Sequence, residues 1–241
     1  GLLICLLSIL SCDNNATVDN ESASASSDSL LVTEYAAETA DTKPGDYSAN
    51  QYDTARQKII YGNASLAEVR LALTEKDTAA LTNTVHALYS MRWHRGVFKL
   101  LYKMWELDKD KYPEINWEQI GKAPVRIALA STLNRIQISD TKIFQFYIRS
   151  FQEHQHEFIR AQVVVALGFN GDPVDIPYLR SMIEADNDYV AQSAIAGLGL
   201  MNNIEAQNTL IELRAIFAGE KRGLIIDSIL RDGYHWSAGK N

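Results

Sequence analysis

The sequence has only two cysteines in 241 residues, Cys5 and Cys12, and both fall in the first twelve positions. A disulfide framework is therefore excluded for everything downstream, as is a zinc cluster built on thiolates. An apolar run long enough to span a bilayer as a helix is also lacking, because the most extended one is the ten residues Gly1 to Leu10. There is no Ser-His-Asp order, nucleophile elbow, phosphate loop or metal-ligand cluster, so no catalytic residue, metal or cofactor is assigned and the chain is not read as an enzyme. A basic stripe is missing too, which excludes nucleic acid as a partner on electrostatic grounds. His154-x-His156 is the nearest approach to a metal pair, but in a helix the two side chains diverge by about 200°. It reads as a polar turn, and the single histidines His86, His94 and His235 read as surface or half-buried side chains.

The charge is distributed unevenly. The net charge is −7, yet from Asp13 to Asp53 nine acids (Asp13, Asp19, Glu21, Asp28, Glu34, Glu38, Asp41, Asp46, Asp53) face one base, Lys43, leaving the remainder near +1. The same stretch is rich in Ser, Ala, Asn and Thr and lacks apolar periodicity, as disordered segments do. It reads as a solvated spacer that would span roughly 35 Å on average. A short recognition segment around Leu30-Leu31-Val32 is the alternative.

Beyond it, helical signals accumulate. Ser65-Leu66-Ala67-Glu68 has capping-box form, with Leu66, Val69 and Leu73 on one side. A helix from about Thr78 to Met91 buries Leu81, Val85 and Leu88, and another from Gly96 repeats Val97, Leu100, Leu101, Met104 and Trp105 at helical spacing. Residues 108–122 read as a polar joint. Helices then follow over Val125–Gln137, Lys142 to about Phe151 (stripe Ile143, Phe146, Tyr147, Phe151), Val190–Met201, Ala206–Phe217 and Leu224–Leu230.

The clearest unit is Ile159–Ile183. Ile159, Val163, Ala166 and Leu167 share one helix face, with Arg160 and Gln162 directed outward. Gly168 and Gly171 read as breakers around Asn170. Asp172 is placed to cap the next helix, with Pro173 in its first turn and Ile176, Leu179 and Ile183 as its buried stripe. Equivalent leucines, Leu133, Leu167 and Leu198, lie 34 and then 31 residues apart, a period suited to paired helices.

Ile159-Arg160 followed by Ala-Leu-Gly, Gly-Asp-Pro and Ile-Pro-x-Leu resembles the HEAT-like repeat, in the subclass of phycobilisome lyases. Val125-Arg126-Ile127-Ala128 to Leu133 and Val190-Ala191-Gln192-Ser193 to Leu198-Gly199 are similar more loosely. The resemblance implies an all-α solenoid, roughly over residues 124–232, that offers a surface to a protein, and it transfers no catalytic residue. Ile9-Leu10-Ser11-Cys12 resembles the lipobox of bacterial lipoprotein signal peptides, which implies lipidation at Cys12 and membrane attachment in the cell envelope, facing the periplasm or at the cell surface, with Asp13 after the Cys favouring the inner membrane. The chain starts without Met or a basic n-region, and reads as cut at its start.

The expected organisation is a signal peptide over 1–11, a lipidated acidic tether over 12–52, an N-terminal helical cap or degenerate repeats over 53–122, HEAT-like repeats over 123–232 and a tail over 233–241. Trp93 and Arg95, within Arg92-Trp93-His94-Arg95, together with Arg126 and Arg160, are the candidate partner-binding residues. The competing reading packs Trp93 into its turn and pairs Arg126 and Arg160 with Asp172 and similar acids. The function these features suggest is an adaptor, assembly factor or inhibitor acting on a protein partner. An enzyme accessory that positions a substrate, or a toxin-neutralising immunity protein, stand as alternatives.

Overall fold

The computed structural model describes residues 48–137 and 141–232. The lipobox with Cys12, the acidic stretch up to residue 47, His235 and the tail lie outside the described residues. Among the described residues there are twelve α-helices and no strand.

The first six helices are α1 (Ala49–Ile60), α2 (Leu66–Ala72), α3 (Thr78–Ala87), α4 (Arg95–Glu106), α5 (Trp117–Ile120) and α6 (Ala123–Ile136). The rest are α7 (Lys142–Arg149), α8 (Glu157–Asn170), α9 (Ile176–Ala185), α10 (Asp188–Leu200), α11 (Ile204–Ile216) and α12 (Lys221–Asp232). Their starts are written in the sequence. Ser65 and Glu68 close the capping box of α2, Asn187 accepts the Tyr189 and Val190 amides, and Asn203 accepts that of Ala206. Each cap satisfies amides that have no partner inside the helix. Helix α1 begins at Ala49, capped by Ser48, so helical structure reaches into the end of the stretch read as a tether.

Helices α3, α6, α8, α10 and α12 stack side by side as one layer, and α4, α7, α9 and α11 pack against them as a second. This is the two-layer, all-α, HEAT-like solenoid expected from the repeat spacing. Stacking explains why α8 is buried at every position from Ala161 to Gly168: a neighbour lies on each side and the second layer covers a third. Gln162 is consequently 3% exposed rather than directed outward. Gly168 is not a breaker either. It lies within α8, where an added Cβ would come 2.4 Å from the Gly197 carbonyl oxygen of α10, so the two backbones touch. Gly171 does end the helix, at φ 69°, a conformation glycine adopts without steric cost.

Two further expectations give way. Residues 108–122 are anchored in the core through Tyr112, Ile115, Trp117 and Ile120, and the Trp117 indole donates to the Tyr112 carbonyl. In α7 the buried residues are Phe144 and Ile148, with Phe151 packed beside them, whereas Ile143 is 57% and Phe146 76% exposed. This helix is apolar on more than one side, and the periodicity alone admitted two stripes.

Candidate protein-binding face

The arginines of the repeat layer are tied to the fold. Arg126 donates from Nη1 to the Met104 and Trp105 carbonyls, both 2.9 Å away, at the C-terminal end of α4. Its guanidinium lies 4.2 Å from the centre of the Trp105 ring, so it neutralises the helix end while lying against an aromatic face. Arg160 performs the matching task one repeat later. It donates to the His154 and Gln155 carbonyls and forms a two-pronged pair with Asp186, each contact 2.8 Å. That pairing holds the Asp186 carboxyl below its usual range, with its own burial opposing.

Asp172, expected to meet these arginines, instead accepts from Val174 as a cap and from Arg149, which also reaches Asp175. Arg126 and Arg160 thus both bind carbonyls at the end of the preceding helix of the second layer, and Arg160 alone adds an acid from the following turn, Asp186. His156 caps α8, its Nδ1 accepting from Phe158, and His154 accepts from the His156 amide. His94 caps α4 by accepting from Val97. His86 departs most from expectation: it is 3% exposed, with neither ring nitrogen hydrogen-bonded and its ring against Phe169. Burial pushes its pKa down to about 3, with the nearby Arg135 charge acting in the same direction.

Exposed large apolar side chains occur at several places among the described residues, including Ile204, Ile211 and Ile216 of α11 and Leu224 of α12, and on the outer sides of α4 and α7 they occur together with aromatic groups and cations. The two helices are joined by Trp105, which meets Phe144 and Tyr147 edge-on at 5.1 and 5.2 Å. On its exposed side α4 displays Arg95, Phe98 and Lys99 in its first turns, and α7 displays Lys142, Ile143 and Phe146. Just before α4, Trp93 is 85% exposed, so it does not pack into its turn; Arg92 lies 5.5 Å from its ring centre. Lys103 is engaged by Glu106 and Asp108, and Arg149 by its two aspartates. Arg95, Lys99 and Lys142 have no carboxylate partner among the described residues.

Exposed aromatic groups and an arginine are residue types enriched at interface centres, and lysines are suited to the polar rim around one. Of the residues singled out from sequence, Trp93 and Arg95 border this face, whereas Arg126 lies beneath its seam and Arg160 belongs to the next repeat. Phe98, Lys99, Lys142, Ile143 and Phe146 were not picked out. Two helices 36 or more residues apart contribute them, and the contact of Trp105 with Phe144 and Tyr147 brings those helices together.

The fold and this face define an α-solenoid of the HEAT-like kind. The family of HEAT repeats matches residues 121–213, covering α6 to α10 and most of α11. No curated protein and no solved structure matches the chain.

Proposed function

We propose that this protein is a membrane-anchored lipoprotein whose HEAT-like solenoid binds a protein partner through the outer face of α4 and α7, as an adaptor, assembly factor or inhibitor. The observation that carries the binding role is the exposure of Phe146 and Ile143 on α7 and of Phe98 on α4 with Trp93 just before it, on helices that also expose Arg95, Lys99 and Lys142. Exposed apolar groups of this size favour contact with another protein where they form a patch. Repeat solenoids commonly act in this way, since each added unit extends the available surface. The anchor rests on the lipobox-like Ile9-Leu10-Ser11-Cys12, where acylation would supply more than one chain and hence stable attachment.

The test is a crosslinked pull-down from the native membrane with the lipidated protein as bait. A partner recovered in stoichiometric amount and lost with Phe146→Ser supports the reading. A partner held equally well by wild type and by a Phe146→Ser, Lys142→Glu double variant overturns the assignment of this face. The anchor is tested separately: Cys12→Ser should release the protein from membranes, and retention would refute lipidation there.

A further inference from the structure

Apart from the outer sides of α4 and α7, we infer that the C-terminal ends of α3, α6 and α8 form a carboxylate-binding site, with Arg92 and Arg135 as its cations and His86 and Asn170 as its inner donors. Direct contacts join these residues. Tyr89, in the turn after α3, has the Arg92 guanidinium 4.7 Å and that of Arg135 3.6 Å from its ring centre. Arg135, in the last turn of α6, also lies 4.4 Å from the ring centre of Phe169, near the end of α8. The Phe169 ring in turn meets that of His86, their centres 5.1 Å apart. At the other end, Arg92 lies 5.5 Å from the ring centre of the exposed Trp93. Rings and cations therefore follow one another in contact from Trp93 at the surface to His86 in the interior.

Charge and hydrogen bonding both call for an anion here. Two guanidinium groups share the Tyr89 ring, and away from bulk water like charges repel more strongly. The negative end of the α6 dipole suits one of them. Arg92 has no carboxylate partner among the described residues. At the inner end neither ring nitrogen of His86 has a partner, and Nδ2 of Asn170 lacks one, although its Oδ1 accepts from the Ser131 hydroxyl of α6. Burial and the nearby Arg135 charge keep the His86 ring neutral, so it offers one N–H. Buried donors without partners carry a desolvation cost that a bound acceptor removes. A guanidinium lying against a ring keeps its N–H edge for pairing, and that planar fork matches the two oxygens of a carboxylate. Trp93 offers a surface for the apolar stem that bears the acid.

The experiment titrates the isotope-labelled full chain, in detergent, with glutarate and separately with a capped tetraglutamate peptide. Binding is read from the His86 ring resonances and from tryptophan emission. Glutarate should saturate both signals. Its affinity should fall at least fivefold in Arg92→Gln and, read by emission alone, in His86→Leu. In Asn170→Asp, which keeps an acceptor for Ser131 but sets a negative charge against the ligand, it should fall at least tenfold. Arg92→Lys, with the charge but not the fork, should lie between wild type and Arg92→Gln. Phe146→Ser should leave glutarate binding unchanged, so this site and the α4–α7 face stand or fall separately. Tighter binding of the peptide than of glutarate assigns the site to acidic side chains of a protein, and binding of glutarate without the peptide assigns it to a free acid. A response that does not saturate overturns the inference. So does inorganic phosphate binding as tightly as glutarate, or an affinity unchanged by Arg92→Gln and Asn170→Asp.

Discussion

Titration of His86 should govern the acid stability of this fold. In the unfolded chain a histidine takes up a proton near pH 6.5. In the native state the ring sits against Phe169 with no hydrogen-bond partner, and its pKa is about 3. The unfolded state therefore binds more protons throughout the interval between these values, so stability falls as the pH is lowered through it and is fully retained above about 6.5. At about 1.4 kcal/mol per pH unit, going from pH 7 to pH 5 removes roughly 2 kcal/mol through this one side chain. For a fold of this size that corresponds to a drop in Tm of roughly 4–8 °C. Urea unfolding of the wild type and of His86→Leu at both pH values isolates the effect, because every other titrating group is common to the two proteins. The variant should be at least as stable at pH 7, since an apolar side chain leaves no buried nitrogen without a partner. Its loss between pH 7 and pH 5 should be smaller by about 2 kcal/mol. An equal loss in both proteins would refute the assignment of a neutral, desolvated imidazole.

Other expectations follow from packing and pairing. Gly168→Ala places a Cβ against the Gly197 backbone and should destabilise by more than about 3 kcal/mol in chemical denaturation, whereas Gly171→Ala, strained only by its positive φ, should cost about 1–2 kcal/mol. An intolerance of Gly171→Ala equal to that of Gly168→Ala would deny the close approach of α8 and α10. Phe144→Ala should cost about 3–5 kcal/mol, but Phe146→Ser should lie within about 0.5 kcal/mol of wild type. Similar losses at the two positions would mean the wrong side of α7 has been taken as exposed. Arg160→Met strands Asp186 and two carbonyls and should cost about 2–4 kcal/mol. A double-mutant cycle with Asp186→Asn showing no coupling would dissolve the pair. The lowered pKa of Asp186 implies that its share of stability is present above the ordinary carboxylate range and is lost as the pH falls through that range toward the folded value.

The sequence by itself determined the helical repeat, and it did so through short-range physics. Ser65 with Glu68, Asp172 with Pro173, and Gly171 act within a single turn, so their effect is legible wherever they occur. The 34- and 31-residue spacing of Leu133, Leu167 and Leu198 likewise required only counting. Tertiary structure decided the questions that depend on what lies across the stack. Gln162 is buried because two neighbouring helices flank α8, and Gly168 is a contact point because Gly197 of α10 meets it. Arg160 chose Asp186 over Asp172 because the turn after α9, rather than the turn before it, comes within reach. In α7, Phe144 and Ile148 enter the core with Tyr147 and Phe151 packed against it, Trp105 docking on Phe144 and Tyr147, so half of the expected stripe turns inward and Ile143 and Phe146 stay outside. The residues left outside, Ile143 and Phe146, are the binding face proposed here, so the candidate site depends on a packing choice that local periodicity cannot make.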